Sequence, residues 1–470
     1  MQPLEAIPLE LRLILNNKTR IYMKKIVLLI YSALGLLACK KDKLNTKPDS
    51  TQIIPETIAY YQMLLDNQNY FNYTTFLAET GSDNYYATEN AWTNFNAVCK
   101  YSYIWAQDPF EGGTVNDWNL SYTTIYYANT VLEGINRLGA EKGSPAGLRA
   151  TGEAYFHRAH AFFQLAQLFC KVYDPATAKT DLGIPLRKRS DVTLGIARST
   201  VQETYDQIIA DLLEAEKLLP PLPDYKTRPG KLAVAALLSR VYLSMSDYDR
   251  SFQYADKALS QYNVLMNYHT IKNTGVPFKQ FNDEVIWHTV MGGSMIFNAD
   301  NNCSVDTALY ESFDSNDMRK QLFFGIGNRP YFKGTYAGLT TSFKFCGLAV
   351  DELYLTRAEC YAHKDMLREA MNDLNTLMTK RWNNNNSFKP FQATTKKDAL
   401  QQILRERRKE LLFRGLRWMD LRRLNLAGAD INLKRIIGND TFHLSANSLR
   451  YIYPIPDQEL TFNEMPQNER

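Results

Sequence analysis

No CxxC pair occurs in the 470 residues, and only six histidines and six cysteines are present. After Cys39 the cysteines are Cys99, Cys170, Cys303, Cys346 and Cys360, widely spaced and odd in number. Neither a zinc cluster nor a disulfide framework is indicated. GxSxG, HExxH, a Walker loop and GxGxxG are also missing, which removes the commonest hydrolase and nucleotide-binding readings. Carboxylates are plentiful, and a glycosidase needs only two of them about 5–10 Å apart. No pair stands in a sequence setting that would raise a carboxyl pKa. Charge of one sign is scarce too. The formal net charge is +4, and residues 1–38 carry five basic residues against two acidic ones, so the remainder is almost neutral. That argues against nucleic acid as a partner. Beyond residue 39 no stretch is apolar enough to span a membrane.

What is present begins with IVLLIYSALGLLACKKDK, residues 26–43. Crossing a bilayer takes about 20 apolar residues, and the uncharged run Ile26–Ala38 has thirteen. Lys24 and Lys25 precede it, small residues follow, and it stops at Cys39, the order of a secretory signal. Leu36-Leu37-Ala38-Cys39 resembles the lipobox of bacterial lipoproteins, which implies cleavage before Cys39 and acylation of that cysteine. Charged residues before Met23 are foreign to a signal. The expectation is therefore an upstream extension over 1–22, a lipoprotein signal over 23–38, a lipidated tether over 39–48 and one domain over 49–470.

The domain reads as mainly α-helical. A first helix is expected over 52–70. Residues 79–113, rich in Gly, Asn, Asp and Thr and crowded with aromatics, read as loop with a short strand. Helical spacing returns with Trp118, Tyr122, Ile125, Asn129 and Leu132 on one face. The helix over 153–169 should end at Asp174-Pro175. Leu182 to Pro185 reads as a turn, and Thr200 or Ser199 with Glu203 as a capping box for a helix from Val201 to Leu219. Residues 231–262 and 350–380 are two helix pairs that align without a gap. Ser239, Tyr242 and Ser251 match Ala358, Tyr361 and Ala370, the small-aromatic-small spacing of tetratricopeptide helices. Between them, 264–349 reads as loops with short strands. Residues 396–424 are helical again, and 445–470 are extended.

EAYFHRAHAFFQLAQLF, VDELYLTRAECYA, ILRERRKELLFRGLRWMDLRR and YPIPDQELTFN, taken in order with the lipobox, resemble the SusD/RagB family of outer-membrane nutrient-binding lipoproteins of Bacteroidetes. The resemblance implies a SusD-like fold with tetratricopeptide-like helix pairs, irregular loop regions and a few short strands. It also implies capture of glycans or other nutrients, a SusC-like TonB-dependent transporter as partner, a lipid anchor in the cell outer membrane facing the cell surface, no cofactor and no covalent chemistry.

Within the aromatic loop, Trp92, Tyr85 and Tyr86 are candidate stacking surfaces for the C–H faces of sugars. Asp83, Asn84 and Asn94 are candidate partners for hydroxyls. The competing reading is that these rings fill the domain's own core. Trp118, Trp287 and Trp418 read as structural, and His157 with His160 as packing rather than a metal pair. The ten lysines and arginines of 396–423 read as partners for Glu406 and Glu410. Two rival functions remain: a helical-repeat envelope adaptor that binds a protein, and a lipid-anchored glycan hydrolase.

Overall fold

The computed structural model describes residues 57–470, apart from 75, 293–302, 328, 339–341 and 386. The expected extension, signal peptide, Cys39 and tether lie outside the described residues. No helix among the described residues is long and apolar enough to cross a membrane.

Local chemistry explains most of the long helices. Pro145 occupies the first turn of helix Pro145–Phe169, and the Ser144 side chain accepts from Gly147 N at 3.1 Å. Proline suits that position because its missing N–H would have no partner there. The helix stops at Cys170, whose backbone is extended, so Asp174-Pro175 follows its end rather than causing it. Thr200 and Glu203 form the full capping box of Val201–Leu218. Leu182–Pro185 is a strand, not a turn. It pairs antiparallel with Arg198–Thr200, and Gly183 there leaves room for Thr200 O and Thr204 Oγ1, each 2.3 Å from an ideal Cβ. The expected first helix is two, Ile58–Leu65 and Gln68–Phe71.

The two aligned helix pairs are Lys231–Ser244 with Tyr248–Gln261, and Val350–His363 with Leu367–Thr379. Their turns repeat to the residue: Ser246 and Asp365 both take φ of 58°. At the close approach, Ser239 Oγ donates to Ser251 O at 3.1 Å and Ser251 Oγ returns a bond to Ser239 O at 2.9 Å. In the second pair Ala358 and Ala370 are fully buried. Although a long loop region separates them in sequence, the pairs stack directly, with 248–261 against 350–363.

That loop region folds back beside residues 73–105. Tyr73–Thr74 runs parallel to Val290–Met291, which pairs antiparallel with Lys344–Phe345. The main core joins the helices, and a second core, rich in rings such as Phe95, Phe278, Phe323 and Phe332, lies under the loops. Residues 396–424 are two helices, Lys396–Glu410 and Arg417–Leu426. Phe413 and Gly415, at φ of 57° and 71°, break them. A hairpin, Leu433–Ile437 with Asp440–Leu444, turns at Gly438.

Buried ion pairs fasten the loop region to the helices. Arg381 Nε donates to Glu410 at 2.7 Å and its Nη2 to Glu284 at 2.8 Å, with the guanidinium 3.9 Å above the Tyr268 ring. Arg319 reaches Asp317, Glu406 and Glu410 at 2.7, 2.5 and 3.0 Å. Glu406 and Glu410 are thus paired inside the molecule as expected, but their main partners come from distant segments.

Candidate functional site

The two loop-rich segments meet along one seam. Tyr85–Ala87 pairs antiparallel with Cys303–Val305, placing Tyr86 opposite Ser304. Strand alternation turns Tyr85 and Ala87 into the second core and leaves Tyr86 half-buried on the other face. The Arg329 guanidinium stands 5.8 Å above the Tyr86 ring. Ser304 Oγ donates to Pro330 O at 3.0 Å, bringing up strand Pro330–Phe332. Tyr331 lies across Gly325, where a Cβ would sit 2.2 Å from the ring.

Of the residues expected to bind a ligand, Tyr86 is half-buried on the outer face and Asn94 is exposed, whereas Trp92 is half-buried and packs against the second core. The Trp92 indole donates to Lys100 O at 2.9 Å, and Lys100 Nζ stands 4.6 Å from the ring centre. Asn94 Nδ2 donates to Asn90 O at 2.8 Å.

Asp83, Asn84 and Tyr85 are engaged within the protein. Arg417 grips Asp83 with two bonds of 2.7 and 2.9 Å, and Arg408 stands beside it. Although burial opposes ionisation, the two guanidiniums hold the Asp83 carboxyl well below the usual range. Asn84 is buried and donates to Glu79 at 2.7 Å. Tyr85 donates to Thr80 O at 2.8 Å and lies under Arg435. Their polar atoms serve the fold because Arg408, Arg417 and Arg435, far along the chain, pack onto this loop. Arg329 and Tyr331 were not singled out in the sequence; the alternation of Pro330-Tyr331-Phe332 is the signal that points one ring outward.

A second concavity, of about 600 Å³, lies elsewhere. Its floor is helix Asn116–Arg137, with Trp118, Tyr122 and Tyr126 at steps of four. One wall is the loop 187–195 and the other the short helix Asp457–Phe462. A third, of about 740 Å³, lies at the turns of the two helix pairs, where Arg250 pairs with Asp247 and Lys364 with Asp249. Glu284, Asp351 and Glu410 converge closely enough to suit a cation. Their oxygens, however, already accept from Arg381, Arg414 and Tyr336.

The other sequence candidates are structural. Trp118, Trp287 and Trp418 are buried. His157 packs on Phe71 and His160 on Trp287, at ring distances of 4.7 and 4.9 Å.

Two family models match the chain and together span more than half of it. One, described as starch-binding associating with outer membrane, covers residues 39–243. The other, described as the SusD family, covers 350–469. The SusD-like protein P2 of Formosa agariphila is 22% identical over 413 residues, 75% of this chain and 79% of that protein. A SusD superfamily protein of Bacteroides thetaiotaomicron superposes with a TM-score of 0.73 at 22% identity, over 88% of this chain and 100% of that one. A laminarin binding SusD-like protein gives 0.64 at 18%, over 87% and 98%.

Proposed function

This chain belongs to the SusD/RagB family, and on that premise we propose that it captures oligosaccharides at the outer membrane and passes them to a SusC-like TonB-dependent transporter. The observation that carries the ligand role is the seam, where the half-buried rings of Tyr86 and Tyr331 lie on short strands beside the exposed Arg329 guanidinium, with Trp92 half-buried on the helix that follows Tyr85–Ala87. Aromatic faces pack on the C–H surfaces of sugars, and a planar guanidinium suits neighbouring hydroxyls. The proposed task is binding, not catalysis: Glu284, raised by burial, is enclosed beside Arg381, and Asp83, next to the seam, is held ionised by Arg417 and Arg408. A solved relative named for laminarin binding makes laminarin the first probe.

Titrating laminarin calorimetrically should show saturable heat. Tyr86→Ala and Trp92→Ala should each weaken binding about tenfold, the worth of one aromatic contact. Full affinity in both variants would move the site away from the seam.

The anchor is proposed to be Cys39. One acyl chain holds a protein on a membrane only marginally, whereas two or more hold it stably. Cys39→Ser should therefore abolish palmitate labelling and release the protein from membranes. Labelling that persists in the variant would place the acylated residue elsewhere.

A further inference from the structure

We propose that the cleft of about 600 Å³ between helix 116–137 and the chain's C-terminal helix is a second oligosaccharide site. The proposal rests on the glycan-binding reading above and adds a place that the seam does not include. The volume falls within the range of about 300–1,000 Å³ typical of small-molecule sites.

Exposed apolar groups gather there. Tyr126, Val192, Leu194 and Phe462 all line the cleft and all stand out into solvent, Phe462 at 84% exposure. Such a gathering marks a binding surface rather than a solvated one. Two of the four are aromatic, Tyr126 on the floor and Phe462 on the C-terminal wall opposite the loop, so a sugar entering the cleft meets rings from two elements.

Between these walls lies a fixed polar pair. Arg187 Nη2 stands 3.7 Å from Glu459 Oε1. Glu459 is held in place by the Trp118 indole at 3.4 Å and the Asn463 amide at 2.5 Å, and Arg187 Nη1 donates to Leu194 O at 3.0 Å. Because both groups are planar and pinned from behind, they offer a donor and an acceptor side by side, the match for adjacent hydroxyls on a sugar. The helix supplies spacing as well. Tyr122 and Tyr126, four residues apart, stand about 6 Å apart along the axis; Tyr122 packs on Trp118 and donates to Pro185 O, so Tyr126 is the ring the helix leaves open to a sugar.

The lining decides against other occupants. An acyl chain or an apolar helix would strip water from Asn119, Thr123, Arg189 and Asp191, which also line the cleft, with nothing to replace it. An added peptide strand would need a free sheet edge, and no residue that lines the cleft belongs to a strand. A hydroxyl-rich, ring-shaped ligand satisfies both the rings and the polar pair.

The test counts bound sugars by native mass spectrometry with laminarihexaose, maltohexaose and cellohexaose as probes. The wild-type protein should take up two copies of at least one of them. Tyr126→Ala/Phe462→Ala should take up one and lose about tenfold in the affinity of the other, while Tyr86→Ala keeps the cleft copy. Both substituted side chains are exposed, so the fold is preserved. A double variant that binds as the wild type does overturns the cleft site and leaves glycan capture standing. A wild-type protein that takes up none of the three overturns both.

Discussion

Arg381→Met is expected to cost about 3–5 kcal/mol of stability, the penalty for leaving buried carboxylates without their counter-charge. Arg381 is fully buried between Glu284 and Glu410. Tyr336 donates to Glu284 at 2.9 Å and also meets Tyr268 at 2.5 Å, so the loss reaches the wall of the second core. A chain of this size need not unfold in one step. The measurement is therefore the urea midpoint of the segment, followed by limited proteolysis of 264–349. Adding Glu284→Gln to Arg381→Met should recover part of the loss, because it removes one of the stranded charges. A change below about 1 kcal/mol in the single variant would mean that water enters the network, and the ion pairs would then not be what fastens the loops.

The second large effect is a stability-pH curve that falls in two stages, gently and then steeply, toward acid. Burial lowers His157 and His160 to about 3 and His288 to about 4. Each is therefore neutral when folded and protonated when unfolded below pH 6.5. Stability from these groups is complete above 6.5 and falls by about 1.4 kcal/mol per group for each pH unit below it. Burial also raises Glu153 and Glu284 to about 7. Between pH 7 and 4.5 they bind protons when folded and not when unfolded, so they gain stability on acidification. The two trends oppose each other between 6.5 and 4.5. Below 4.5 the glutamates stop contributing, and the depressed carboxyls of Asp83, Glu410 and Asp420 add to the loss. Three histidines against two glutamates leave a net loss of about 1.4 kcal/mol per pH unit, so thermal midpoints should fall gently from pH 6.5 to 4.5 and drop steeply below. Glu153→Gln should raise stability at pH 8 by about 1–3 kcal/mol and steepen the gentle stretch toward acid. His157→Gln should level it. Equal slopes in both variants would contradict the assignment.

Much of the helical frame was legible because its signals are local. The capping box at Thr200 and Glu203 and the Ser-Tyr-Ser and Ala-Tyr-Ala spacing of the two pairs each depend on neighbours within about a dozen residues. One reading differed because of a distant partner and another because of local caps. Leu182–Pro185 is a strand only because Arg198–Thr200 returns to pair with it. Residues 79–113 contain the short helices Glu89–Thr93 and Ala97–Tyr103, capped by Thr88 and Asn96; the polar residues that suggested loop are those caps. Within the candidate site the same limit appears. Period-two alternation distinguishes Tyr85 from Tyr86 once a strand is given. Nothing near Asp83 indicates that Arg417, more than three hundred residues away, takes its carboxylate.

By itself, then, the sequence determined the helical frame, the neutral charge balance, the family resemblance and the aromatic content of the loops, since composition and short-range periodicity are carried by the chain. Only the tertiary structure decided that the two helix pairs stack directly, that Glu406 and Glu410 pair with Arg319 and Arg381, and that Tyr86 faces out while Asp83 and Asn84 are engaged within the fold. It also brought the C-terminal Glu459 and Phe462 beside Trp118 and Tyr126 to form a cleft. The physical reason is common to all four. Burial and charge pairing are set by which remote surfaces exclude water together, and that choice belongs to the whole fold rather than to any one segment.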